Sequence, residues 1–169
     1  AESIGSGFFA GSPAGEMVAI TSMHFLEIDA RAYEFGTWTD AKNQPVTESS
    51  AAFGTPGNLP DWDADFKDFR KDYLVLKLSK APENIEVLEL DDRAKPEARS
   101  KENNEKGEPI WFPYRAQGAS GSRWIHGDVS IARRGMIIVI LKNAKDLEFQ
   151  GCSGSPVLSQ RTGKVIGIL

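Results

Sequence analysis

The chain has 169 residues, 40% hydrophobic and 26% charged, with a net charge of −4. That composition fits a folded globule and gives no general attraction to nucleic acid or to an anionic membrane. Cys152 is the single cysteine and there are two histidines, which excludes an internal disulfide and a multi-cysteine zinc site.

In chain order, the start at Ala1-Glu2-Ser3 lacks a basic flank and a long apolar run, so no signal peptide is visible. The expectation leans to the cytoplasm rather than to secretion, and no stretch approaches the roughly 18 apolar residues of a spanning helix. Residues 4–10 and Met17 to Met23 (MVAITSM) flank the turn cluster Gly11-Ser12-Pro13-Ala14-Gly15 and predict a hairpin. Arg31 to Trp38 alternates polar and apolar residues, as a half-buried strand does. Residues 39–60 are rich in Pro, Gly, Ser, Thr and Asn and read as a long loop, and Asp61 to Lys71 as a short helical turn. Tyr73 to Leu78 (YLVLKL) is the clearest strand of the first half.

Asp91 to Glu108 then holds eleven charged residues out of eighteen. So charged a segment buries too little apolar surface to offset its ordering entropy, so it reads as a solvated linker, with an exposed charged helix as the alternative. Short strands resume at Pro109 to Arg115, Trp124 to Ala132, Met136 to Leu141, Pro156 to Ser159 and Val165 to Leu169. Many short strands at this spacing predict an all-β barrel or sandwich.

The stretch Gly151-Cys152-Ser153-Gly154-Ser155-Pro156 carries the chemistry. A glycine two places before a serine lets the backbone aim two amides at one spot, beside a candidate nucleophile. The bland alternative is an ordinary turn. A serine nucleophile needs a base and a group to orient that base. His24, at the end of MVAITSM, is the first candidate base; His126, inside a predicted strand, is the competitor and could instead line a pocket. Among the clustered aspartates, Asp72 stands apart because it immediately precedes the apolar YLVLKL strand, where a carboxylate needs a partner such as an imidazole N–H.

The order His24, Asp72, Ser153 and three segments resemble the trypsin-like (chymotrypsin-fold) serine proteases, in particular the short, disulfide-free, HtrA-like bacterial type. Gly5-Ser6-Gly7-Phe8-Phe9 with Ala19 to His24 is similar to that family's opening hairpin. Asp72 to Leu78 is similar, more loosely, to its Asp-bearing strand. Gly151 to Leu158 with Gly163 to Ile168 is similar to its nucleophile hairpin. The resemblance implies an all-β fold of two antiparallel six-stranded β-barrels with the active site in the cleft between them. Residues 1–90 would form the N-terminal barrel with His24 and Asp72, 91–108 the charged linker, and 109–169 the C-terminal barrel with Ser153.

The resemblance also implies roles. Ser153 would attack the scissile carbonyl, His24 would act as base and then acid, Asp72 would orient His24, and the backbone N–H groups of Gly151 and Ser153 would form the oxyanion hole. The substrate pocket would be lined by Leu147, Glu148, Phe149 and Gln150, with Leu147 favouring an apolar residue and Glu148 keeping a basic one open. The expected partner is a protein or peptide substrate, with no cofactor, metal, nucleic acid or membrane. The usual strand after Ile168 and Leu169 is missing, so the C-terminal end is expected to be truncated and the parent chain to carry further elements.

Two departures stand out. Ser22-Met23 occupies the place of small residues before the base. Cys152 replaces the aspartate that pairs with a new N-terminus in the digestive enzymes, so activation by that route is not expected. Cys152 is also a rival nucleophile, and a protease-fold binding or scaffold module without turnover is the alternative function.

Overall fold

The computed structural model describes residues 5–22, 37–40, 42–52, 72–93, 95–100, 102, 105–115, 121, 123–133 and 135–169. Within them lie ten strands and no helix: β1 (Phe8–Gly11), β2 (Met17–Thr21), β3 (Thr37–Thr39), β4 (Pro45–Ala52), β5 (Leu74–Leu78), β6 (Pro109–Tyr114), β7 (Arg123–Arg133), β8 (Met136–Lys142), β9 (Pro156–Ser159) and β10 (Val165–Ile168). They form two five-stranded sheets, ordered β1-β2-β5-β4-β3 and β10-β9-β6-β7-β8. Every strand pair is antiparallel. The architecture is the all-β, two-barrel arrangement expected, with five strands per sheet among the described residues where six were expected.

The hairpin β1–β2 pairs Phe8 with Ile20 and Gly11 with Met17. Its strands are apolar on both faces because both faces are covered. Phe9 and Ala19 pack with Leu74 and Leu76 of β5 inside the first sheet's own core. Their neighbours Phe8, Ala10, Val18 and Ile20 point the other way and pack with Leu158 and Val165 of the second sheet. Period-2 alternation thus serves two cores from one hairpin. The second sheet curls around Ile110, Phe112, Ile125, Val129 and Val157, with Cys152 among them. Each of these side chains contributes about 1.5–3 kcal/mol by leaving water.

Two features differ from expectation. The predicted loop 39–60 contains the eight-residue strand β4, which pairs with both β3 and β5. The charged segment is not wholly solvated. Just ahead of it, Leu88 and Leu90 make parallel bridges to Ala10 and Val165, one to each sheet, and at its start the Asp91 N–H donates to Val165 O (2.8 Å). Further on, the Glu108 carboxylate is completely buried. It accepts hydrogen bonds from Arg93 Nη1 (3.1 Å) and Nη2 (2.7 Å), from the Glu97 N–H (3.1 Å) and from the Ser159 hydroxyl. A buried ion pair anchors this stretch, beside the buried Pro96 and the partly buried Ala98, which packs against the second core. The helical turn expected over 61–71 lies outside the described residues.

Candidate active site

The serine loop is built by two left-handed glycines, Gly151 at φ 84° and Gly154 at φ 93°. Only glycine holds such angles without strain. Internal bonds shape the turn: the Cys152 N–H donates to Phe149 O (3.0 Å) and the Ser155 N–H to Cys152 O (2.9 Å). The Gly154 N–H reaches Leu169 O (2.7 Å), and the Leu169 N–H returns to Ser155 O (3.0 Å). Ser153, partly buried, sits between the two glycines.

The loop is fastened to the other sheet by Ser6. The Ser6 N–H donates to Ser153 O (2.9 Å) and the Ser6 hydroxyl to Gly151 O (2.7 Å). The Thr21 hydroxyl in turn donates to Ser6 O (2.7 Å). Gly154 fits so closely here that a Cβ on it would lie 2.0 Å from Ser6 O and 2.4 Å from Thr21 Oγ1. The sequence marks Ser6 only as a residue between two glycines, and its clamping role became visible only in three dimensions.

Thr21 ends β2, opposite Leu74 at the start of β5. Asp72, partly buried, therefore stands just ahead of β5 at the end of the sheet where β2 stops. His24 comes three residues after Thr21 in sequence and lies outside the described residues, as does Met23. His126 is in β7, where Trp111 and Lys142 stand opposite it and Gln160 bonds its ring. None of these neighbours belongs to the serine loop.

Cys152 is 2% exposed and packs in the second core. Its thiol faces the Arg115 carbonyl at 3.9 Å. Burial, the largest influence on it, pushes the thiol pKa up. A thiol so placed has little thiolate character and is turned into the core. Of the predicted pocket residues, Leu147 packs into the same core. The Glu148 carbonyl accepts from the Tyr114 hydroxyl (2.8 Å). Phe149 lies against Tyr114 and Phe112, with ring centroids 5.8 and 6.1 Å away, and Gln150 is exposed. These four residues directly precede the serine loop in sequence, and aromatic packing braces Phe149 among them. Among the described residues, no group of His, Cys, Asp and Glu could hold a metal ion.

No family model matches the chain, and no curated protein matches it. Among solved structures the chain is similar to Deg5, with a TM-score of 0.57 and 19% identity over 99% of this chain and 73% of that one. The order and pairing of the strands together with this likeness establish the fold: two antiparallel β-sheets in the chymotrypsin-like, two-barrel arrangement.

Proposed function

We propose that the chain is a serine endopeptidase acting through Ser153, His24 and Asp72. The observation that carries this reading is the fastening of the Ser153 loop, through Ser6 and Thr21, to the end of the strand that leads to His24. A loop held by four long-range bonds and two left-handed glycines is a pre-organised element, which is what a nucleophile needs. The likeness to Deg5, an HtrA-family protease, supports the same reading.

In this mechanism His24 takes the Ser153 hydroxyl proton as Oγ bonds to the scissile carbonyl carbon. The C–N bond then breaks as His24 gives that proton to the leaving amine, and water releases the acyl group by the reverse route. Asp72 holds the tautomer of His24. By the resemblance to the trypsin-like proteases, the oxyanion donors are the backbone N–H groups of Gly151 and Ser153, each worth about 3 kcal/mol. No cofactor enters. The partly buried Leu147 favours an apolar residue before the cut.

A fluorophosphonate probe tests this directly. Stoichiometric labelling that disappears in Ser153→Ala and in His24→Ala is the expected result. A folded protein that stays unlabelled would point to a binding module instead.

A further inference from the structure

Arg115 joins the first sheet to the segment that carries Ser153, by a route separate from the Ser6 clamp. It follows Tyr114, the last residue of β6. Tyr114 is buried in the second core, and its hydroxyl donates to Glu148 O (2.8 Å). Alternation along a strand sends the next side chain the other way. The Arg115 guanidinium accordingly reaches the turn between β3 and β4: Nη1 donates to Asp40 O (3.2 Å) and Nη2 to Asn43 Oδ1. The Arg115 backbone carbonyl meanwhile faces the Cys152 thiol at 3.9 Å.

The turn is a firm anchor. The Asp40 N–H donates to Gln44 O (2.9 Å) and the Asn43 N–H to Asp40 O (3.0 Å). The Asp40 carboxylate accepts from the N–H groups of Lys42 (2.8 Å) and Gln44 (2.9 Å). Asn43 sits at φ 61°, a left-handed angle that asparagine tolerates better than most residues. The turn is therefore braced within itself and presents two fixed acceptors. A guanidinium is planar and holds its donors in a rigid fork, so two acceptors set its orientation, whereas an ammonium is a point charge. The two ties grip consecutive residues of the serine loop. Ser6 bonds Gly151 O and Ser153 O, and Arg115 backs Cys152 between them.

We propose that Arg115 is a positioning residue for the Ser153 loop. Its fork takes the β3–β4 turn as a fixed point in the first sheet, and its backbone carries that fix to Cys152 and so to Ser153. The effect on Ser153 chemistry rests on the endopeptidase reading; the hold on Cys152 does not.

Two rates measured on the folded full chain test this: fluorophosphonate labelling of Ser153 and iodoacetamide alkylation of Cys152. Arg115→Met should slow labelling about tenfold and speed alkylation roughly tenfold. Arg115→Lys, a point charge without the fork, should rescue both only in part. Asn43→Gly keeps the left-handed angle and removes only the acceptor, so it should move both rates in the same directions. Because Arg115 and Asn43 act as one unit, the double variant should label no more slowly than Arg115→Met alone. A merely local loss of packing would leave Arg115→Lys fully rescued and the two effects independent. Unchanged alkylation in Arg115→Met and in Asn43→Gly overturns the proposal, as does unchanged labelling in a parent that is labelled, or independent effects in the double variant. A parent that takes no label sinks the endopeptidase reading, and Cys152 alkylation then decides the hold of Arg115 by itself. Should Arg115→Met fail to fold, Asn43→Gly and Arg115→Lys carry the same test.

Discussion

The hydroxyl of Ser6 donates to the carbonyl of Gly151, 145 residues downstream, at 2.7 Å. This bond and its neighbour from the Ser6 N–H to Ser153 O join the entry of the first sheet to the serine loop of the second. Position 154 is where that junction is tightest. Gly154→Ala would place a methyl 2.0 Å from Ser6 O at a φ of 93°. Backbone strain and the clash together should cost more than about 3 kcal/mol and displace the loop. Thermal unfolding should fall steeply, and any labelling of Ser153 should be lost. Ser6→Ala removes one hydrogen bond and should cost about 1 kcal/mol with partial loss of labelling. A Gly154→Ala protein as stable as the parent would mean that the junction is not rigid.

Cys152 and Ser153 adjoin in sequence yet meet different surroundings. The thiol lies in the second core and its pKa is raised by burial. Native protein should therefore resist iodoacetamide at neutral pH and become reactive once unfolded. Cys152→Ala should retain labelling at Ser153 and lose about 1–2 kcal/mol of stability through the small cavity left behind. Rapid alkylation of the folded chain, with loss of activity, would restore cysteine as a rival nucleophile.

The same contrast explains what the sequence makes legible. Strands with apolar periodicity were readable: residues 17–21, 74–78, 109–114 and 136–142 match their predicted positions to within a few residues. The glycine-flanked serine was readable too, because left-handed backbone at Gly151 and Gly154 demands that residue type. Contacts between segments distant in sequence were not. Nothing in a row of alternating charges says that Glu108 turns inward, since that depends on where Arg93 and Ser159 arrive in space.

Glu108 makes the charged segment acid-sensitive. Burial raises the Glu108 pKa, but Arg93, the Ser159 hydroxyl and the Glu97 N–H outweigh it, and the net shift is downward. Asp91, bonded mainly by the Arg93 side chain, is lowered from 3.8 to about 2. Folded-state values below the unfolded ones mean that both carboxylates stabilise the fold fully above their unfolded pKa. That contribution fades as pH falls, for Asp91 between 3.8 and about 2. Arg93→Met strands the Glu108 charge without its cation and should cost about 3–5 kcal/mol at pH 7. Its unfolding curve should also depend less on pH over the acid range than the parent's. Equal acid sensitivity in both proteins would show that other carboxylates govern acid unfolding.

Strand β4 has the sequence character of a loop because its inward positions are polar. Thr47 and Ser49 are 3% and 7% exposed, where a half-buried strand ordinarily shows Val or Ile. Their hydroxyls are used: Thr47 Oγ1 donates to Lys80 O at 2.6 Å, and Ser49 Oγ accepts from Trp38 Nε1–H. Trp38 packs in turn against Phe9, with ring centroids 5.5 Å apart. Hydroxyls that satisfy buried groups hold this strand in place of apolar burial. Ser49→Ala should therefore leave the Trp38 indole N–H without its partner and cost about 1–3 kcal/mol, though it removes a single oxygen. Thr47→Val keeps the shape and vacates only the Lys80 carbonyl, so about 1 kcal/mol is expected. Urea unfolding followed by tryptophan emission measures both. A Ser49→Ala protein at least as stable as the parent would show that apolar contacts of Trp38 and Val46, rather than the hydroxyl pairs, hold β4 in the sheet.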